Sequence, residues 1–206
     1  MNTTAIVTDL FGQSVETQEQ QTRQTAVNTQ AWAEWFKIEL VDDNVERMVR
    51  AAAEWAIAVK AGDKPRWLSL LGSSGAGKTH LAKRLWAWLA KRPDFQGRAN
   101  YLPQFVYWPK LMDDMRTDAS LYSRFGDMQR WRYLVLDDVL AERQSDWTLE
   151  KINTLLGCRV GKWTILTSNL SMMGIAKTEK RIASRLIRDK GIVADIQTTD
   201  YNLRNR

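Results

Sequence analysis

Large apolar residues follow two rhythms along this chain. Short unbroken runs occur at Trp67-Leu68-Ser69-Leu70-Leu71, Phe105-Val106-Tyr107-Trp108, Tyr133-Leu134-Val135-Leu136, Trp163–Thr167 and Ile192–Ile196. Each is too short for a helix and reads as a buried strand. Between them the spacing changes to three and four. Val45, Met48, Val49, Ala52, Ala56 and Val59 form one stripe, predicting a helix capped by Asp42 or Asp43 and stopped near Lys60 by Ala61-Gly62-Asp63-Lys64-Pro65. Further helices are predicted over 78–91, from Pro109 to about Arg116, over Ser120–Arg130, over Trp147–Arg159 and over 178–188. Strands alternating with helices predict an α/β fold, a parallel sheet covered by helices on both faces.

The N-terminal stretch breaks this pattern. Residues 12–30 are rich in Gln, Thr and Glu and predict a mobile arm or weak helix. Over Ala31–Leu40, Trp32, Trp35, Phe36 and Leu40 recur on one helical face. Two readings follow: this helix packs on its own domain, or Trp32, Trp35 and Phe36 dock into a groove on a partner protein. The expected division is an arm over 1–40 and an α/β domain over 41–206.

The strand at 67–71 leads into Gly72-Ser73-Ser74-Gly75-Ala76-Gly77-Lys78-Thr79, a complete G-x-x-x-x-G-K-[ST] loop followed by His80 and a helix. The glycines let the backbone turn its N–H groups toward phosphate oxygens, Lys78 reaches the β- and γ-phosphates, and the Thr79 hydroxyl can ligate Mg²⁺. ATP and Mg²⁺ are therefore the expected ligands. The strand at 133–136 ends in Asp137-Asp138. Asp137 is placed to hold the Mg²⁺ hydration shell, and Asp138 to act as base or orienter for an attacking water. The strand at 163–167 ends in Ser168-Asn169, whose amide can reach the γ-phosphate or that water. Arg181 and Arg185 share a helix face and can enter the site of a neighbouring subunit.

Charge adds a partner class. The net charge is +6, but residues 1–62 hold five basic against nine acidic side chains, so the remainder carries +10. A basic body of this kind suggests a polyanion, most simply nucleic acid. One cysteine, Cys158, excludes a disulfide framework and a Cys-based zinc module. No signal peptide and no apolar run approaching 18 residues is present, so a cytoplasmic protein without a membrane segment is expected.

These motifs in this order resemble the AAA+ ATPases of the DnaC/DnaI helicase-loader and IstB transposition-helper group. The resemblance spans about 44–204. It rests on 72–81, on Leu134–Asp138, on Arg159 before Gly161-Lys162-Trp163-Thr164, on Thr167–Leu170, on Arg181–Leu186, and on Asp200-Tyr201 with Arg204. It implies a P-loop NTPase of three-layer AAA+ type. Lys78 and Thr79 would be Walker A, Asp137 and Asp138 Walker B, Asn169 sensor 1 and Arg185 the arginine finger, with Arg181 a second arginine of that motif. It also implies that Lys110, Arg116, Tyr122, Arg124 and Arg130 grip single-stranded DNA, although Tyr122 and Phe125 equally suit a core. Asp138 stands where many of these proteins have Glu, which implies slow hydrolysis. The chain ends soon after the last strand, so no α-helical lid is expected.

The reading that follows is a loader that binds a hexameric DnaB-type replicative helicase, self-associates and places the helicase on single-stranded DNA, in a phage or mobile element. An IstB-like ATPase assisting a transposase is the alternative. A non-catalytic ATP-binding adaptor is a third reading, and a small-molecule kinase lacks an evident acceptor site and basic lid.

Overall fold

The computed structural model describes residues 29–92, 102–141 and 145–201. The polar arm up to residue 28 and Arg204 lie outside the described residues. Five strands form one parallel sheet: β1 (Trp67–Gly72), β2 (Gln104–Tyr107), β3 (Tyr133–Asp137), β4 (Trp163–Thr167) and β5 (Ile192–Ile196), in the order β2-β3-β4-β1-β5. Strands β1, β3 and β4 are buried along their whole length because both faces are covered.

Side-chain alternation divides the core in two. Leu68, Leu70, Tyr133, Val135, Trp163 and Ile165 face one layer, formed by α2 (Asp43–Ala61) and α3 (Lys78–Ala90). Trp67, Leu71, Leu134, Leu136 and Leu166 face the other layer, formed by α4 (Trp108–Thr117), α5 (Leu121–Arg130), α6 (Asp146–Cys158), α7 (Met172–Thr178) and α8 (Lys180–Leu186). This is a three-layer sandwich, as the alternation of strands and helices predicts. Two details differ. Trp108 is the first residue of α4 and fully buried, because Pro109 starts the helix one residue earlier than the apolar run suggests. Helix α7, capped by the Ser171 side chain on Gly174 N, has no strong apolar period and was not predicted.

The stripe at 31–40 settles onto the domain. A helix, α1, runs to residue 36. Ala33 and Phe36 are buried in the α2–α3 layer, with Trp32, Ile38 and Leu40 packed against it. Trp32 stacks on Phe36 and Trp35 meets both rings edge-on, and Arg84 of α3 donates to Trp35 O at 2.6 Å while lying over the Trp35 ring. Phe36, offered above as a docking residue, has no exposed surface. Its burial in this chain's own core corrects that expectation. Trp35 remains 40% exposed.

Arg159 is the largest buried polar side chain. Its guanidinium donates to Met128 O, Trp131 O and Trp163 O, and its Nε to Thr164 Oγ1, all within 2.9 Å. It ties the ends of α5 and α6 to the start of β4. Burial without a carboxylate pushes its pKa down to about 9.

Candidate nucleotide site

In a parallel sheet, ligands bind beyond the carboxyl ends of the strands, where neighbouring strands lead in opposite directions. Here β1 leads into the 72–79 loop, and β3 and β4 end beside it. Gly75 and Gly77 take left-handed φ angles of 69° and 86°, and a Cβ at Gly75 would collide with the Asp200 carboxyl. Ser73 Oγ donates to Thr198 O at 2.8 Å, and Tyr201 N donates to Gly75 O at 3.1 Å. The segment after β5 therefore straps the phosphate loop from outside.

Lys78 is buried, and its Nζ donates to Gly72 O (3.0 Å), Ser73 O (2.6 Å) and Asn169 Oδ1 (3.1 Å). Burial lowers its pKa, opposed by the nearby Asp138 and Asp137 carboxylates. Thr79 Oγ1 donates to Asp137 Oδ1 at 2.8 Å, and the same oxygen accepts from Thr167 Oγ1 at 2.8 Å. Asp138 has a left-handed φ of 62°, a conformation short polar residues tolerate best. That turn aims its carboxylate at the cleft, where Asn169 Nδ2 donates to Oδ1 at 2.9 Å and Tyr107 OH to Oδ2 at 3.5 Å. Burial raises the Asp138 pKa, and Asp137 adds to the rise. Burial, then Asp138, raise the Tyr107 pKa in turn.

A cleft of about 860 Å³ opens over these groups. Its polar end is the phosphate loop with Asp137, Asp138 and Asn169. Its other end is lined by Ile38, Val41, Val45, Thr198 and Tyr201, an apolar pocket beside the loop. Sequence reasoning found the polar end and missed the apolar end, which joins residues about 160 positions apart. It also missed Tyr107 and Thr167. His80 lines the cleft, but its Nε2 lies 2.9 Å from Phe36 O, linking α3 to α1. No group of three or more His, Cys, Asp or Glu side chains suited to a metal occurs among the described residues. One hydroxyl beside one carboxylate instead fits Mg²⁺, which keeps several waters and takes its other ligands from phosphates.

No family model matches the chain. The chromosomal replication initiator DnaA of Deinococcus radiodurans is 30% identical over 160 residues, covering 74% of this chain and 32% of that protein. The chain spans between about a third and a half of the length of the curated relatives it matches. Among solved structures, DnaI superposes with a TM-score of 0.61 at 26% identity, covering 78% of this chain and 89% of DnaI. The chain has the AAA+ ATPase fold of the DnaC/DnaI helicase-loader group. The DnaC helicase loader has the same fold, with a TM-score of 0.59 at 20% identity over 76% of this chain and 92% of that one.

Within this AAA+ frame, Arg185 and Arg181 lie away from the cleft, in a groove between α6 and α8. Arg185 Nη1 donates to Asn153 O (2.7 Å) and Asn153 Oδ1 (2.6 Å), while Arg181 is exposed. The expected DNA grip is altered. Lys110 pairs with Asp114, Arg116 with Asp113 and Arg130 with Asp127, each within one helix. Residues 108–130 hold four basic and four acidic side chains, so this segment carries no net charge. These three cations are thus partly compensated by their own helices' carboxylates. Phe125 is core, whereas Tyr122 is exposed beneath the Lys151 ammonium, and Arg124 is exposed. No helix of the described residues is long and apolar enough to cross a membrane.

Proposed function

We propose that this chain is an ATP-hydrolysing loader of a hexameric replicative helicase. The observation that carries the reading is the continuous chain of hydrogen bonds Lys78–Asn169–Asp138 beside Thr79–Asp137, on a fold shared with DnaI and DnaC. ATP enters with its base against Ile38, Val41, Val45 and Tyr201 and its phosphates over the loop backbone of residues 72–79. Lys78 exchanges loop carbonyls for β- and γ-phosphate oxygens. Thr79 and Asp137 hold Mg²⁺, which shields phosphate charge when bound. Asp138 orients the attacking water and takes its proton, and Asn169 fixes Asp138 against the γ-phosphate. The raised Asp138 pKa suits a base, while its short side chain and its competing bonds favour slow turnover.

Arg185, with Arg181 beside it, reaches the ATP of a neighbouring copy and stabilises charge in the transition state. The subunits therefore self-associate. Single-stranded DNA runs along α5, where Tyr122 offers a stacking face and Arg124 a phosphate contact. Trp35 supplies a contact to the helicase.

Purified chain is incubated with the helicase of its own genome, with and without ATP, and run on a sizing column. A co-eluting complex supports the loader. Absence of a complex in both conditions, with turnover retained, rejects it and leaves an ATPase of another partner.

A further inference from the structure

The sheet edge opposite the nucleotide cleft has its own chemistry. In the order β3-β4-β1-β5, each strand is entered from a basic residue: Arg132 before β3, Lys162 before β4, Arg66 before β1 and Lys190 before β5. The pairing of Tyr133 with Trp163 brings Arg132 level with Lys162, whereas the pairing of Trp67 with Thr164 brings Arg66 level with Trp163, one position further along. Trp163 N donates to Arg132 O and Thr164 N to Arg66 O, both at 3.0 Å, closing the ladder at this edge. Adjacent strands are about 4.8 Å apart, so the row is about 14 Å long before its side chains extend. Arg188 adds a further exposed cation next to Lys190.

Two ordinary explanations fall short. Four helices, α2, α5, α6 and α8, end at this edge, and cations there offset helix dipoles. Lys162 Nζ does so directly, donating to Cys158 O at 2.8 Å. Four helix ends amount to about −2 charges. The lead-ins 60–66, 127–132, 159–162 and 188–191 hold eight basic residues besides buried Arg159, against Asp63, Asp127 and Asp189, a surplus of five. Carboxylate pairing fails as well. Lys64 takes Asp189, but Arg66, Lys162, Arg188 and Lys190 have no ion-pair partner among the described residues. Arg66 is held rigid, donating to Gly161 O at 2.6 Å and lying over the Trp163 ring.

We infer that this strand-start edge binds the phosphate backbone of duplex DNA. The flanking rings Trp163 and Tyr133 are buried and Trp131 is partly buried, so these rings offer unpaired bases little stacking surface. A band of unpaired cations spread over about 14 Å of the strand starts instead suits the densely charged backbone of a duplex. The edge lies about 17–20 Å from the phosphate loop, the length of a strand, so DNA here leaves the ATP cleft open. The inference rests on the reading of this chain as a DNA-handling ATPase, which a loader and a transposition helper share.

Fluorescence anisotropy with a labelled 30-base-pair duplex and the corresponding single strand, titrated with salt, tests it. The triple variant Lys162→Glu, Arg188→Glu, Lys190→Glu should lose at least about tenfold in duplex affinity at low salt, with the slope of log affinity against log salt shallower by nearly 3. The milder Lys162→Gln, Arg188→Gln, Lys190→Gln variant should lose less in affinity but as much in slope. A fluorescent ATP analogue should bind both variants like the parent chain, reporting intact folding. Parent-like duplex affinity and slope in both variants would overturn the edge site while leaving DNA handling intact. Failure of the parent chain to bind either DNA would overturn both.

Discussion

Asn169 donates its side-chain amide to the Asp138 carboxylate at 2.9 Å, while its carbonyl oxygen accepts from Lys78 at 3.1 Å. One residue at the tip of β4 thereby connects the lysine of the phosphate loop with the second acid of β3. Replacing Asn169 by Ala removes both bonds and frees Asp138 to rotate. Phosphate release should fall by about 10²-fold, in the range of a displaced proton-transfer group, with ATP affinity changed much less. Steady-state turnover and binding of a fluorescent ATP analogue measure the two separately.

Asp138 gives a pH-dependent signature. Its folded pKa is raised above 3.8, mainly by burial and then by Asp137. The folded chain therefore binds more protons than the unfolded one just above the ordinary carboxylate range, and stability falls as pH rises through that window. Asp138→Asn removes this cost and can keep the Asn169 bond. Its melting temperature should exceed the parent's at pH 7, with the difference vanishing below about pH 4, while turnover is lost at all pH values. Thermal melts at several pH values check the sign. The parent's turnover should in turn decline on the acid side at a pH above that of an ordinary carboxylate.

Phe36 distinguishes packing from docking. It is fully buried, so Phe36→Ala should cost about 3–5 kcal/mol in chemical denaturation. Trp35→Ala, at a site 40% exposed, should cost clearly less. Equal, small losses would place α1 off the domain.

Arg185 predicts complementation. Lys78→Ala disables a subunit's own phosphate loop, and Arg185→Ala disables what it offers its neighbour. Each alone should be nearly inactive, since an arginine of this kind is worth about 10³-fold or more. Mixed together, some interfaces pair an intact Lys78 with an intact Arg185, and turnover should reappear. A mixture that stays at background would mean that Arg185 does not act across subunits.

The parts of this molecule most legible in the sequence were those fixed by local chemistry. The 72–79 loop requires its glycines, lysine and threonine whatever surrounds it, and Asp137-Asp138 follows a short apolar run that reads as a buried strand. Tyr107, Thr167 and the Ile38–Tyr201 end of the cleft were not legible, because their roles come from contacts between distant segments. The sheet order was hidden for the same reason. Lys110, Arg116 and Arg130 differ. Their carboxylate partners stand three or four positions away, so these ion pairs were legible in the spacing, which the basic residues alone obscured. Helix α7 was missed because Met172-Met173-Gly174 carries a weak helical period.

An ATPase whose partner is a replicative helicase must form a complex with that helicase. The most direct test is light scattering on a sizing column with chain and helicase mixed in the presence of ATP and Mg²⁺. A complex heavier than the helicase hexamer is expected, weakened when Lys78→Ala replaces the parent chain. Separate elution of both proteins, with and without nucleotide, would contradict it.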